Sequence, residues 1–473
     1  MKKNAVLEAL ENARQNDIKW REGKVFSLVY DPGDEVVDLL KQAYSLYFSE
    51  NALNPTAFPS LRKFETEVIA MTASLLGSDG KVVGNMTTGG TESLIMAVKT
   101  ARDWARHHRP EIQSPEMIMP SSAHPALEKA GHYMGVRSVR IPVSENFRGD
   151  VDAIKAAMNP NTILVVGSAP SFPHGVVDPI HELGQITLEH GILLHVDACV
   201  GGFMLPFVRQ LGYSVPEFDF TVPGVTSLSV DLHKFGYSAK GASVILYRDR
   251  AIRRHQFFAY TDWSGGIYAS PTMTGTRSAG PIAASWAIMN HLGYEGYLDL
   301  TRSVMQTTTQ IREGIEGIDG IRILGDPEMS ILAIASDTFN VYEIADELSS
   351  RSWYLERQQF PPSLHLTINY GHTGMADAFL QDLREAVAQV RKPNLSRFRR
   401  SILPAIARFL VRLLPEWLVT RLFSRASGLL GVKGASLPTR SAPMYGMMAT
   451  LPNRGDVKEL VLDVVEQFTE PQE

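Results

Sequence analysis

Six short strand-like segments, at 116–119, 138–141, 162–166, 192–196, 227–230 and 243–246, punctuate the middle of this chain, with helix-like stretches between several of them. Strands separated by helical crossovers pair in parallel and bury both faces under helices. The expected architecture is therefore α/β, with a mostly parallel sheet. Helices are expected over 62–76 and 91–107, where apolar residues recur at helical spacing. A long helical stretch from Pro281 past Gly293 leads into a smaller α+β unit, with strands at 330–335 and 364–368 and helices at 342–350 and 375–390. Three parts follow: an N-terminal segment at 1–60, a large domain at 61–293 and a small C-terminal domain at 294–473.

Three segments carry chemistry. In Thr87-Thr88-Gly89-Gly90-Thr91-Glu92-Ser93, paired glycines open a helix. Such a turn lets backbone N–H groups approach a phosphate, although a plain N-capped turn reads the same way in isolation. The segment has neither the GxGxxG nor the Walker pattern, so a dinucleotide or ATP fold is not favoured. Next, Ile192-Leu193-Leu194-His195-Val196-Asp197 places an acid at the carboxyl end of a buried strand, where open α/β sheets bind ligands. Last comes Ser229-Val230-Asp231-Leu232-His233-Lys234-Phe235-Gly236, with a lysine directly after a histidine. An His-Lys pair alone reads as surface. Glycine anchor, aspartate and lysine in this order point to pyridoxal 5'-phosphate (PLP). Lys234 would form the Schiff base, deprotonated by burial beside other cations, and Asp197 would keep the pyridine nitrogen protonated.

From about Trp20 to the C-terminal end, with one interruption, the chain resembles the sphingosine-1-phosphate lyases of the group II decarboxylase superfamily, PLP fold type I. The resemblance rests on Phe58-Pro59-Ser60-Leu61-Arg62-Lys63, Thr88-Gly89-Gly90-Thr91-Glu92-Ser93, Ser122-Ala123-His124, Phe172-Pro173-His174-Gly175 and His195-Val196-Asp197-Ala198-Cys199. It continues through His233-Lys234-Phe235-Gly236-Tyr237, the stretch from Thr261 to Pro271, Gln359-Phe360-Pro361-Pro362-Ser363 and Met444-Tyr445-Gly446-Met447. The resemblance implies a mostly parallel seven-stranded-type sheet and a retro-aldol cleavage of phosphorylated sphingoid bases to a long-chain aldehyde and phosphoethanolamine. It also implies a homodimer with shared active sites. The rival readings are an α-amino-acid decarboxylase and a non-catalytic membrane-bound scaffold.

The same resemblance assigns residues. His124 is expected to stack on the cofactor ring. Gly89, Gly90, Thr91, Ser229 and His233 are expected around its phosphate, with Gly275 and Thr276 reaching that phosphate across the dimer. Lys240 and Tyr30 are expected at the substrate, Lys240 on its phosphate. Lys234, His124 and Tyr30 all remain open as the acid–base group. Two departures stand out: Asn54, where the family often has histidine, and Leu28, where it has a small residue.

Composition constrains less. A net charge of −5 argues against a dedicated nucleic-acid binder, and no metal site is expected. One cysteine excludes an internal disulfide framework and suits a reducing cytoplasm. The N-terminus has no signal-peptide core, so a chain without the membrane anchor of the eukaryotic members is expected. The interruption, 395–433, is rich in arginine. Ile402, Ile406, Phe409, Leu410, Leu413, Leu414 and Trp417 recur there at helical spacing, while Arg408 and Arg412 share another face. Two roles fit: an interfacial helix on anionic lipid, or a helical hairpin packed on the body of the dimer.

Overall fold

In the computed structural model, residues 1–54, 56–392 and 454–471 are described. The 395–433 interruption and the Met444–Met447 motif lie outside them. Seven strands form the central sheet: β1 (Val83–Thr87), β2 (Glu116–Pro120), β3 (Arg137–Ile141), β4 (Thr162–Ser168), β5 (Leu193–Asp197), β6 (Val225–Val230) and β7 (Ser243–Tyr247). Their order is β1-β7-β6-β5-β4-β2-β3. From β6 to β3 every pairing is parallel, and β7 runs antiparallel to both β6 and β1. β4 and β5 are buried throughout, as strands covered on both faces must be.

All six expected strands are present, within two residues at each edge. β1 escaped notice because Val-Gly-Asn-Met-Thr lacks the β-branched signal. Its Gly84 is there for space: a Cβ would lie 2.4 Å from the Ile245 carbonyl oxygen on β7.

The long helix Ala279–Glu316 breaks at Gly293 (φ +57°, ψ −167°) and carries the chain to a four-stranded antiparallel sheet. Two of those strands, Ile331–Ala335 and Pro362–Thr367, match the expected ones. The others, Arg322–Ile323 and Glu356–Gln359, have sequences too short or too polar to announce a strand. The N-terminal segment leans on this sheet. Phe26 donates its N–H to the Tyr354 carbonyl, accepts one from Thr367, and stacks on His372 with ring centroids 4.5 Å apart. That docking brings Tyr30 to the mouth of the large sheet. Among the described residues no helix is long and apolar enough to cross a membrane.

Candidate active site

The parallel strands end together, and at their carboxyl edge lies a cavity of about 470 Å³ lined by Gly89, Gly90, Thr91, His124, Ser168, Phe172, Asp197, Cys199, Asp231, His233 and Lys234, among others. This volume falls within the ~300–1,000 Å³ usual for small-molecule sites. Asp197 closes β5 and Ser168 closes β4, in register with each other. Lys234 and His233 follow β6 on a tight turn, in which the Lys234 N–H donates to the Asp231 carbonyl. The helix Gly90–His108 starts at the cavity, and its first-turn N–H groups have no partners within the helix.

Asp197 is held from behind. Its Oδ1 accepts the Cys199 N–H at 3.1 Å and the Ser229 hydroxyl at 3.4 Å. Ser229 also meets His195 Nε2 at 3.3 Å, and His195 Nδ1 meets Ser227 at 2.9 Å, so a buried polar chain runs down the sheet to Asp197. Burial pushes His195 down to about 4, so it stays neutral in that chain. Ser229, expected beside a phosphate, instead lies fully buried beneath Asp197 and outside the cavity lining. Strand register sets this, since Ser229 on β6 pairs directly with Asp197 on β5.

Lys234 contradicts one expectation from sequence. Its Nζ lies 2.9 Å from Oδ2 of Asp231, so a carboxylate and not a cation is its immediate partner, with Lys240 farther off. Burial works against the ammonium, but the Asp231 carboxylate outweighs it and holds the amine above the ordinary lysine range. Asp231 is itself 3% exposed; burial works against its charge, yet Lys234 and then His233 keep its carboxyl below the usual value. Sequence reasoning passed over Asp231 although it sits three residues before the lysine. The spacing of one turn was the available signal.

His124 lines the cavity, and burial lowers its pKa despite the nearby Asp197. The Ala126 N–H donates to its Nδ1 at 3.1 Å, so the neutral ring carries its proton on Nε2 and presents a donor. Tyr30 stands outside the cavity lining, edge-on to Phe235 with centroids 5.0 Å apart, and burial pushes its phenol up to about 12. Lys240 Nζ sits 5.3 Å over the Tyr30 ring and donates to the His233 carbonyl at 3.3 Å. Burial, then the neighbouring Lys234, brings its amine down to about 8.

The remaining expected residues lie apart from the cavity within this chain. Asn54 is exposed, and its Oδ1 is taken by Thr56 and Ala57 in a local turn. Gly275 and Thr276 sit on an outer loop anchored by Arg277, which pairs with Glu65 at 2.7 and 2.9 Å. Leu28 is 54% exposed with φ +67°, a conformation that favours glycine. Glu92 was also missed: it accepts the Thr88 N–H and hydroxyl and the Met273 N–H, tying the glycine anchor to the outer loop. Among the described residues no cluster suited to a metal ion is present.

The donor set fits PLP. An amine, a strand-end carboxylate and a glycine-started helix N-terminus share one cavity, and the sequence of residues 5–334 matches the pyridoxal-dependent decarboxylase conserved domain. The curated sphingosine-1-phosphate lyase of Arabidopsis thaliana is 48% identical over 394 residues, covering 82% of this chain and 72% of that protein. The chain belongs to the sphingosine-1-phosphate lyases. Another member of this lyase family, sphingosine-1-phosphate lyase 1 of Rattus norvegicus, is 43% identical over 390 residues, covering 82% of this chain and 68% of its own. The solved sphingosine-1-phosphate lyase of Burkholderia pseudomallei superposes with a TM-score of 0.81 at 40% identity, over 86% of this chain and 95% of that one. The glutamate decarboxylase of Lactobacillus brevis, TM-score 0.73 at 17% identity, shares the fold alone.

Proposed function

We propose that this lyase cleaves the Cα–Cβ bond of phosphorylated sphingoid bases, releasing a long-chain aldehyde and phosphoethanolamine. The observation that carries this reading is the 48% identity to a curated sphingosine-1-phosphate lyase across a chain whose cavity holds Lys234, Asp197 and His124 together. Bound at Lys234, PLP supplies the electron sink that accepts the electrons of the breaking carbon–carbon bond. The protein supplies the rest. Asp197, fixed by Cys199 and Ser229, would hold a proton at the pyridine nitrogen. His124, which lines the same cavity, would face the cofactor and offer its Nε2–H. The N-terminus of Gly90–His108, with Thr91 and His233, would take the cofactor phosphate. Lys240 takes the substrate phosphate, and Tyr30 keeps a neutral phenol beside it.

A homodimer completes this proposal. Phe258, Tyr260, Trp263, Ile267 and Met273 expose 48–79% of their surfaces on the loop before Gly275 and Thr276, a patch that a second copy would cover. The arginine-rich 395–433 stretch is proposed as a peripheral lipid contact in a cytoplasmic enzyme. Its check is co-sedimentation with anionic liposomes of the full chain and of a chain lacking 399–427.

The deciding experiment incubates the purified protein with sphinganine phosphate and, separately, with amino acids, assaying aldehyde and carbon dioxide. Aldehyde from the phosphorylated base is expected, and Lys234→Ala should abolish both it and the visible absorbance of the bound cofactor. Carbon dioxide from an amino acid without aldehyde would overturn the proposal in favour of a decarboxylase.

A further inference from the structure

We propose that Asp231 is a positioning residue for Lys234, holding its amine as an ammonium whenever that amine is not bonded to the cofactor. This rests on the lyase reading only in taking Lys234 as the cofactor-binding amine.

Three observations carry it. Asp231 Oδ2 lies 2.9 Å from Lys234 Nζ, and His233 Nε2 stands 3.7 Å from the same oxygen. The other oxygen, Oδ1, is buried without a well-formed hydrogen bond, so the carboxylate is not spent on capping or on the backbone. The site is also built to admit it. A Cβ at position 90 would lie 2.7 and 2.8 Å from the two Asp231 oxygens and 3.0 Å from Cys199 Sγ, so the glycine anchor is hollowed for this carboxylate. A buried carboxylate is costly unless it is paired, and Lys234 is the cation within ion-pair distance.

The other groups facing the pair do not displace Asp231. Tyr30 and Cys199 are held neutral, chiefly by burial. His124 and His233 are lowered by burial, and Lys240 adds only a second positive charge nearby. Asp197 is engaged through Oδ1 by Cys199 and Ser229. An ammonium can give a proton and cannot take one. The free Lys234 is therefore the proton donor of the cycle, and the proton of the substrate hydroxyl goes to a different group.

The test is competitive acetylation of the full chain, freed of cofactor and shown by circular dichroism to remain folded, with trace acetic anhydride from pH 7 to 10.5. Only the neutral amine reacts, and peptide mass spectrometry resolves each lysine. In the wild type, Lys234 labelling should keep rising about tenfold per pH unit through pH 10, one pKa unit being a factor of ten. Lys240 should level off above about pH 8. Asp231→Asn should label Lys234 at least tenfold faster at pH 8. A wild-type Lys234 curve that levels below pH 9.5, or an Asp231→Asn protein that is folded and labels like wild type, overturns the inference. Because no substrate is present, these outcomes are independent of the aldehyde assay. A failed lyase reading would leave the ion-pair result standing, and the reverse.

Discussion

A Cβ placed on Gly90 would come within 2.7 Å of Oδ2 of Asp231, so the second glycine of the anchor and the buried acid that follows β6 occupy one another's only space. Gly89 is different: a Cβ there would meet nothing nearer than 3.8 Å. Gly90→Ala should thus act through Asp231. It is expected to destabilise the protein by about 1–3 kcal/mol, the usual cost of overpacking. Gly90→Ala combined with Asp231→Ala should cost less than the sum of the two, as contacting residues do. Urea melts of the four proteins in a double-mutant cycle measure this, and strict additivity would separate the two sites.

Lys240 gives a pH prediction. Loss of solvent around its amine, then the Lys234 charge, brings it down to about 8 although the residue as a whole is exposed, so the ammonium gives way to the neutral amine as pH rises past that value. A substrate phosphate needs the charged form. The expected result is a kcat/KM that falls as pH rises past about 8, chiefly through KM. Lys240→Arg, which stays charged, should flatten that fall, and Lys240→Ala should raise KM at every pH while leaving the visible spectrum unchanged. A fall that persists unchanged in Lys240→Arg would assign it to another group.

The pair Arg277–Glu65 fastens the outer loop to the helix Pro59–Leu75. Both side chains are largely buried, at 8% and 13% exposed, and Glu65 Oε1 also accepts the Met86 N–H at 3.0 Å. Removing one partner leaves an uncompensated buried charge, at about 3–5 kcal/mol. Arg277→Ala should lower the unfolding midpoint accordingly, measured by guanidinium melts. Replacing both residues by apolar ones, Glu65→Leu with Arg277→Met, should recover much of the loss.

Leu28 holds φ at +67° with a half-exposed side chain. The left-handed region costs a branched residue about 1–2 kcal/mol, while glycine adopts it freely. Leu28→Gly is expected to leave stability unchanged or raise it by up to ~1 kcal/mol, read in the same melts. A loss of stability in Leu28→Gly would show that the Leu28 side chain contributes more than its backbone conformation costs.

The sequence by itself determined the strands β2 to β7, because short segments with β-branched and apolar residues alternate there with helical stretches, the pattern of a sheet covered by crossover helices. It also determined the order of glycine anchor, Asp197 and Lys234, because a cofactor bound at strand ends draws its ligands from successive loops. Tertiary structure alone decided how those residues are charged and aimed. Whether Lys234 is an amine or an ammonium depends on a carboxylate 2.9 Å away, and the lysine's own residue type gives no sign of it. Ser229 turned out to support Asp197 because β5 and β6 pair with these two residues in register. Strand β1 and the strand Glu356–Gln359 exist because neighbours offer them backbone partners, a long-range contribution that local propensity does not carry.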